Sequence, residues 1–363
     1  MPSRSFPRDW QTLLTTDKAI TAFVPIHEAK RAEIECVPRK TFQYGATDRH
    51  KLDVYYPIAE FPGTPRPVLF HYYGGGFTAG SRQLPPPMDV GYGFLGAYFA
   101  ARGFITVIPD YRLVPQAKYP DGGRDALDAL LWAVEHPGDI RPGSSDVGSL
   151  FVLAHSAGAA HVCTALLHPD FDRTPLGDRL RGVVLVGAPY RILDDDIVYR
   201  YYGGEARARD TEPLALYESA SDEEARAFAR LILMAEAERE PQDLRATGDE
   251  FEKALEKKGG KRVNRIVAKR HNHISMIWAL GTGDAEEWAE EAMGWIMRRC
   301  ANYLSISPLI DLGQHSNDRE QPSTATALVN TGATIVRKAA EGGPILQTGV
   351  SCIARMEIRQ SLN

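Results

Sequence analysis

A serine at position 156 gives the strongest chemical signal in the chain. Ser156 lies between an apolar run that predicts a buried strand, Leu150–Leu153, and a run of small residues that predicts a helix. A serine between a strand and a helix sits on a tight turn, so the residues two positions before and after it must be small. Ala154, in place of the usual glycine, and Gly158 meet this requirement. The pattern predicts a nucleophilic serine, and the alternative is a helix-capping serine.

A glycine-rich loop follows a second predicted strand, Pro67–Tyr72. Residues 73–77 read YGGGF, and adjacent glycines are costly in chain entropy. They are typical of a loop whose backbone N–H groups approach a substrate. We therefore predict an oxyanion hole formed by the N–H groups of Gly75, Gly76 and Ala157. A phosphate-binding loop is the alternative, but the residues that follow lack the lysine and helix start that it requires.

Two histidines near the C-terminal end of the predicted domain are candidates for the base that a nucleophilic serine needs. His271 and His273 follow a predicted strand, Asn264–Ala268. Such an H-x-H pair could instead bind a metal ion, but no His, Asp or Glu cluster of recognisable spacing accompanies it. We therefore predict no metal site and no cofactor.

The order of these segments resembles the hormone-sensitive-lipase-like branch of the α/β-hydrolases, which includes many esterases and the kynurenine formamidases. The matching segments are YYGGGF at 72–77, DYRLVP at 110–115, AHSAG at 154–158 and the histidine segment, and the resemblance spans about residues 45–300. It implies that 110–115 braces the oxyanion loop and that His273 is the base, because Asn272-His273-Ile274 matches the family segment N-H-F. Tyr73 stands where the family has histidine, so it must brace the loop in another way.

The acidic member of the site is the least defined. The resemblance implies an aspartate just after the strand that precedes the histidine segment. In residues 233–241, however, every acidic residue is a glutamate. Alignment from the strand selects Glu238, whereas alignment on the following proline selects Glu240. A glutamate is able to orient an imidazole and stabilise its cation. We predict Glu238, with Glu240 as the alternate acid.

The strands and helices that position these residues are predicted from the sequence pattern. Short apolar segments alternate with amphipathic ones along the chain. This alternation predicts βαβ units, and with the resemblance it indicates an α/β-hydrolase fold with a mostly parallel sheet flanked by helices. The other predicted strands are Lys51–Tyr56, Phe104–Pro109, Gly182–Val186 and Leu231–Met234. The predicted helices include Gly93–Arg102, Asp121–Glu135, Asp222–Phe228 and Ala285–Arg299.

The predicted organisation is one hydrolase domain over residues 1–303, with cap elements at 1–40 and 192–230. Residues 304–363 are rich in Ser, Thr, Gly and Asn and are assigned to a C-terminal appendage outside the catalytic machinery. Aromatic side chains available for a substrate pocket are those of Tyr72, Tyr73, Phe77, Tyr190, Tyr201 and Tyr202.

Composition excludes several classes of protein. The formal net charge is -5, which gives no electrostatic footprint for nucleic acid. The N-terminus lacks the apolar run of a signal peptide, and no segment reaches the roughly 20 apolar residues of a membrane span. We expect a cytoplasmic protein with a small-molecule acyl substrate, and the sequence does not indicate an oligomeric state.

The reaction predicted from these features is hydrolysis of a carboxylic ester with a small or medium acyl chain through an acyl-enzyme. An aryl formamidase and a tailoring acyl hydrolase of a biosynthetic pathway are the alternatives within the same chemistry. A non-catalytic ligand-binding protein on the same fold is the alternative of another class, because fold alone does not guarantee activity.

Overall fold

An eight-stranded sheet organises the chain in the computed structural model, which describes residues 17–58, 66–144, 146–192 and 196–306. The strands are β1 (Arg39–Gln43), β2 (Lys51–Tyr55), β3 (Val68–Tyr72), β4 (Ile105–Pro109), β5 (Leu150–His155), β6 (Leu180–Val186), β7 (Ile232–Arg239) and β8 (Asn264–Asn272). Their order across the sheet is β1-β2-β4-β3-β5-β6-β7-β8. β1 pairs with β2, and β2 with β4, in antiparallel register, and all the other pairs are parallel.

The central strands are mostly apolar because both faces of the sheet are covered. Every residue of β3, β4 and β5 is buried. Such strands read as continuous Val, Ile, Leu and Phe runs without polar alternation, which is the signal that located them in the sequence. All seven predicted strands are present, and the mostly parallel sheet is confirmed.

Helices cover the sheet in the described part of the chain. They are α1 (Asp17–Ala29), α2 (Arg31–Glu35), α3 (Gly93–Ala100), α4 (Asp121–Glu135), α5 (Pro137–Ile140), α6 (Ala157–Leu167), α7 (Asp196–Tyr202), α8 (Glu205–Thr211), α9 (Pro213–Ser219), α10 (Asp222–Leu231), α11 (Gln242–Gly259), α12 (Ser275–Trp278) and α13 (Glu287–Ile306). A 3₁₀ helix spans Thr174–Arg179. None of the described helices combines the length and apolar character of a membrane span.

The segment 192–230, predicted as a cap, contains two kinds of element. α7 and α8 come after residues 193–195, which the structure does not describe. Side chains of α7 pack against Phe77 of the glycine loop. α9 packs against α6, and α10 packs against α11 and β6, so both belong to the helical layer of the sheet. The capping part of this segment is therefore its first half.

The predicted N-terminal cap element, residues 1–40, extends too far along the chain. α1 packs against α12. His27 of α1 stacks on Phe94 of α3, with ring centroids 3.9 Å apart, and on Trp278 of α12 at 6.0 Å. Arg39 and Lys40, inside the predicted boundary at residue 40, belong instead to β1. One compact unit extends to Asn302, and the predicted appendage lies outside the described residues from 307 onward.

Candidate active site

Ser156 occupies a strained turn between β5 and α6. Its backbone has φ 53° and ψ -125°, a region that residues other than glycine rarely adopt and that costs of order 1–3 kcal/mol. Its N–H donates to the carbonyl of Val186 at 2.9 Å. A side chain at Gly158 would collide with the carbonyl oxygens of Tyr72 and Tyr73. The tight turn predicted from the sequence is present, and only glycine fits two residues beyond the serine.

Ala154 shows why the missing glycine before the serine is tolerated. It lies inside β5, opposite Tyr72 on one side and Leu185 on the other. Its side chain is fully buried. The residue has ordinary strand geometry, so the methyl group fits and no glycine is required there.

The glycine loop has a backbone conformation that residues other than glycine rarely adopt. Gly75 has φ 142° and Gly76 has φ 57°, and a side chain at Gly75 would collide with the carbonyl of Ala79. Within the described residues, the N–H groups of Gly75, Gly76 and Ala157 donate to no protein acceptor. These three donors are thus available to a ligand.

The loop lies directly beside the serine. A Cβ atom built on Gly74 would be 2.8 Å from the Cβ of Ser156. A Cβ atom on Gly76 would meet nothing within 4 Å, so there is open space beside this part of the loop. The structure thus brings the three predicted oxyanion residues to the same turn as the predicted nucleophile.

Tyr73 braces the loop by hydrogen bonding and stacking. Its hydroxyl donates to Asp110 Oδ1 at 2.6 Å, and its carbonyl accepts from the Tyr111 hydroxyl at 2.7 Å. Its ring stacks on Tyr92 and Tyr111, with centroids 5.1 and 4.8 Å away. Val114 N–H donates to the carbonyl of Phe77 at 3.0 Å. Residues 110–115 therefore contact the loop as the family resemblance implied.

A partly buried arginine holds the carboxylates behind this brace. Arg82 Nε lies 3.1 Å from Asp53 Oδ1, and Arg82 Nη1 lies 2.5 Å from Asp110 Oδ2. Both aspartates are almost fully buried. Arg39 also approaches Asp53, but at 4.0 Å and with 44% of its side chain exposed. Charge compensation in this pocket depends mainly on Arg82, because buried carboxylates require a close, hydrogen-bonded partner.

His273 follows β8 and forms a buried pair with Glu240. Its Nδ1 is hydrogen-bonded to Glu240 Oε1, and Glu240 Oε2 accepts from the N–H of Ala237 at 2.9 Å. The other ring nitrogen of His273, Nε2, is buried and has no hydrogen-bond partner within the described residues. The carboxylate thus orients the imidazole and leaves one nitrogen for another group.

The histidine lies close to the serine turn. Val186 accepts the Ser156 N–H, and a Cβ atom on the next residue, Gly187, would be 2.9 Å from His273 Nδ1. Ser156, Glu240 and His273 therefore follow the carboxyl ends of three parallel strands that share one edge of the sheet. Ligands bind at this edge in open α/β sheets.

Of the two candidate glutamates, Glu240 contacts His273, and the preferred Glu238 does not. β7 continues to Arg239, five residues beyond the predicted end, with a register shift at its last residues. The side chain of Glu238 is 42% exposed and accepts from Arg270 N–H at 2.9 Å and Lys269 Nζ at 3.1 Å. The alignment on Pro241 selects the glutamate that contacts His273, because the proline follows the end of the strand.

Both ring nitrogens of His271, the second histidine of the pair, have hydrogen-bond partners. His271 Nε2 lies 2.7 Å from the carbonyl of Ala285, and its Nδ1 lies 3.1 Å from Ser275 Oγ. Neither nitrogen is free to act on the serine. In the part of the chain that the structure describes, no group of three or more His, Cys, Asp or Glu side chains is placed to hold a metal ion.

Aromatic side chains cover the loop on the side of the cap. Tyr201 stacks on Phe77 with centroids 4.9 Å apart, and Tyr202 stacks on Tyr119 at 5.1 Å. Ala157 belongs to the same buried cluster. Tyr119, whose N–H donates to the carbonyl of Tyr201 at 2.8 Å, was not predicted, because a lone tyrosine before a helix carries no sequence signal.

The other aromatic residues predicted for a substrate pocket lie in the main hydrophobic core. Tyr72 and Tyr73 are fully buried, and both belong to the main hydrophobic core. Tyr190 belongs to that core as well and stacks on Phe251 with centroids 4.2 Å apart. Only the aromatic residues at 77, 201 and 202 of the predicted set lie in the cluster beside Ala157.

Burial keeps the neighbouring histidines neutral. It lowers the pKa of His71 to about 3 and that of His161 to about 4. Both imidazoles are therefore uncharged near pH 7. Neither has a carboxylate hydrogen-bonded to its ring, in contrast to His273.

Comparisons with known proteins agree with this geometry. A family model described as alpha/beta hydrolase fold matches residues 69–197. Kynurenine formamidase of Danio rerio is 25% identical over 282 residues, which cover 75% of this chain and 87% of that protein. Two solved structures share the fold. Esterase B of Lactobacillus rhamnosis has a TM-score of 0.58 at 15% identity, over 79% of this chain and 97% of that chain.

The second structure is the apo form of esterase 2 of Thermogutta terrifontis. It has a TM-score of 0.53 at 20% identity and covers 71% of this chain and 94% of that chain. The predicted α/β-hydrolase fold and the family resemblance are thereby confirmed. An oriented imidazole beside a strained serine, facing unpaired N–H donors, is an arrangement that activates a hydroxyl toward a carbonyl carbon.

The first prediction concerns the two arginines that share Asp53. Arg82→Met removes the closest cation from two buried carboxylates and should lower the free energy of unfolding by roughly 3–5 kcal/mol. Arg39→Met, the matched control, removes an exposed and distant charge and should cost less than about 1 kcal/mol. Urea unfolding followed by circular dichroism measures both. Equal losses in the two variants would contradict this account of the brace.

The second prediction separates the two glutamates. Glu240→Gln should slow phosphonylation by a fluorophosphonate probe by about 10²–10⁴-fold, because the amide holds the imidazole less well and cannot stabilise its cation. Glu238→Gln should react at nearly the wild-type rate, since its carboxylate contacts only Lys269 and the backbone of Arg270. Second-order labelling rates decide between them, and a larger effect at position 238 would restore the original prediction.

Proposed function

We propose that this chain, an α/β-hydrolase, is a serine hydrolase that cleaves a carboxylic ester of small or medium acyl chain through an acyl-enzyme intermediate. The observation that carries the proposal is the convergence of three features at one turn. Ser156 is held in a strained conformation, His273 is oriented by Glu240, and unpaired N–H groups lie beside the serine. A helix-capping serine needs none of these, and Ser156 makes no side-chain capping hydrogen bond.

In the first half of the reaction, His273 Nε2 accepts the proton of Ser156 as Oγ forms a bond to the ester carbonyl carbon. The carbonyl oxygen becomes an oxyanion that accepts from the N–H groups of Gly75, Gly76 and Ala157. Loss of one comparable donor costs roughly 3–4 kcal/mol of transition-state stabilisation. The imidazolium, stabilised by Glu240, then gives its proton to the leaving alcohol, and the serine remains acylated.

In the second half, water takes the place of the alcohol. His273 removes a proton from the water as its oxygen attacks the acyl carbon, and the same oxyanion donors stabilise the second tetrahedral intermediate. Collapse of this intermediate breaks the bond to Ser156 Oγ, which recovers its proton from the imidazolium. The products are one carboxylic acid and one alcohol, and the reaction as written consumes only a small-molecule ester and water.

An aryl formamide is the second candidate substrate. The similarity to kynurenine formamidase extends over 75% of this chain and 87% of that protein. The cluster of Phe77, Tyr119 and Tyr201 places buried aromatic rings beside the loop, and an aryl leaving group would find its apolar partners there. The same serine mechanism applies, with an aryl amine leaving in place of the alcohol.

The non-catalytic alternative is disfavoured by the strain at the serine. A binding protein has no use for a backbone conformation that costs free energy at Ser156, whereas a nucleophile needs it for exposure to the substrate. A tailoring role in biosynthesis, a cytoplasmic location and the lack of a nucleic-acid partner stay predictions from the sequence.

The third prediction compares substrates and variants directly. Wild-type protein should hydrolyse p-nitrophenyl butyrate with a higher kcat/KM than formanilide, and Ser156→Ala should lose about 10⁴-fold or more of kcat on both. Ser219→Ala, at an exposed position in α9, is the matched control and should retain full activity. A preference for formanilide would select the second candidate.

Full activity in Ser156→Ala, for a protein whose circular dichroism spectrum is unchanged, would contradict the serine mechanism. Absence of hydrolysis of either substrate by folded wild-type protein would favour the ligand-binding alternative.

A further inference from the structure

His155 connects the two residues that the proposed reaction must keep at a fixed distance. It is the last residue of β5 and directly precedes Ser156, and only 5% of it is exposed. Its Nε2 lies 2.9 Å from the backbone carbonyl oxygen of His273, which is 118 residues away in the sequence. The two imidazole rings lie with their centroids 4.6 Å apart. A side chain of the nucleophile strand therefore contacts the backbone of the base.

The chemistry of this contact determines the tautomer of His155. A backbone carbonyl only accepts hydrogen bonds, so Nε2 of His155 must carry the proton that it donates. Burial, together with the nearby His273, holds the pKa of His155 well below its usual range. The ring is therefore neutral near pH 7, with an unprotonated Nδ1 that lies near Gly74.

The backbone of His273 has little other support. β8 ends at Asn272 and α12 begins at Ser275, so His273 lies in the connection between a strand and a helix. Within the described ranges, no backbone N–H donates to the carbonyl of His273. The base is thus held at two points, by Glu240 at Nδ1 and by His155 at its carbonyl. The first orients the ring and the second sets the position of the backbone.

We propose that His155 is a positioning residue that fixes the distance between His273 Nε2 and Ser156 Oγ through its hydrogen bond to the His273 carbonyl. The proposal rests on the proposed serine mechanism and adds a residue to it. It requires a donor at the position of Nε2, whereas a packing role would require only a side chain of similar volume.

Two amides separate these roles. The nitrogen of a glutamine side chain is able to occupy the position of histidine Nε2, whereas the shorter asparagine places its nitrogen near the position of Nδ1. His155→Gln should keep kcat for p-nitrophenyl butyrate within about fivefold of wild type. His155→Asn should lower kcat by about 10²-fold with KM unchanged, because a displacement of about 1 Å at a reacting group costs this much.

Equal losses of kcat in the two variants, no loss in either, or an effect confined to KM would each overturn the proposal. Ser156→Ala in the same assay separates the two hypotheses. If it is inactive but the two His155 variants behave alike, only the positioning role fails, whereas full activity would remove the mechanism on which this role rests.

A measurement on the unaltered protein needs a variant only to assign the resonances. Long-range ¹H–¹⁵N NMR correlation of histidine-labelled protein reports which ring nitrogen carries the proton. We expect the His155 resonances, assigned by their loss in His155→Gln, to show a neutral ring protonated at Nε2 from pH 6 to 8. A ring protonated at Nδ1, or at both nitrogens, would overturn the proposal.

Discussion

The close approach of α6 to β3 at Gly158 is the constraint on which the site depends. Because the helix starts against the carbonyl oxygens of Tyr72 and Tyr73, the chain has room for only one residue between the end of β5 and the start of α6. That residue is Ser156, and its positive φ is the consequence. The same contact brings the glycine loop, which follows directly after β3, against the serine. The strained residue, the proposed nucleophile, thus lies beside the proposed oxyanion donors.

Burial around this turn has an electrostatic consequence. Polar groups there are removed from water, so each must find a partner inside the protein. Asp110 and Asp53 do so through Arg82, and the Tyr73 hydroxyl does so through Asp110. The N–H groups of the glycine loop and His273 Nε2 lack partners within the described residues. Unpartnered donors and a basic nitrogen beside a serine are what a reacting carbonyl requires, so these groups fit the proposed chemistry.

Much of this arrangement could be predicted from the sequence, because buried parallel strands and glycines at obligatory positions leave local signals. The strands around Phe70, Val107 and Val152 were located by their apolar runs. The edge strand β1 was missed because its residues are mostly exposed and resemble a polar loop. Glu238 was preferred to Glu240, the glutamate in contact with His273, because β7 continues through MAEAER and its alternating glutamates give no signal of the strand end. Contacts such as His155 to His273 arise only from tertiary structure and have no local signal.

The central claim is that Ser156, the glycine loop and the Glu240–His273 pair form one reaction site. A crystal structure of the protein after reaction with an alkyl phosphonate tests it most directly, because the phosphonyl oxygen occupies the position of the oxyanion. The account predicts phosphorus bonded to Ser156 Oγ, and its oxygen within 2.7–3.1 Å of the N–H groups of Gly75, Gly76 and Ala157. Phosphorus on another residue, or an oxygen directed away from these three donors, would contradict it.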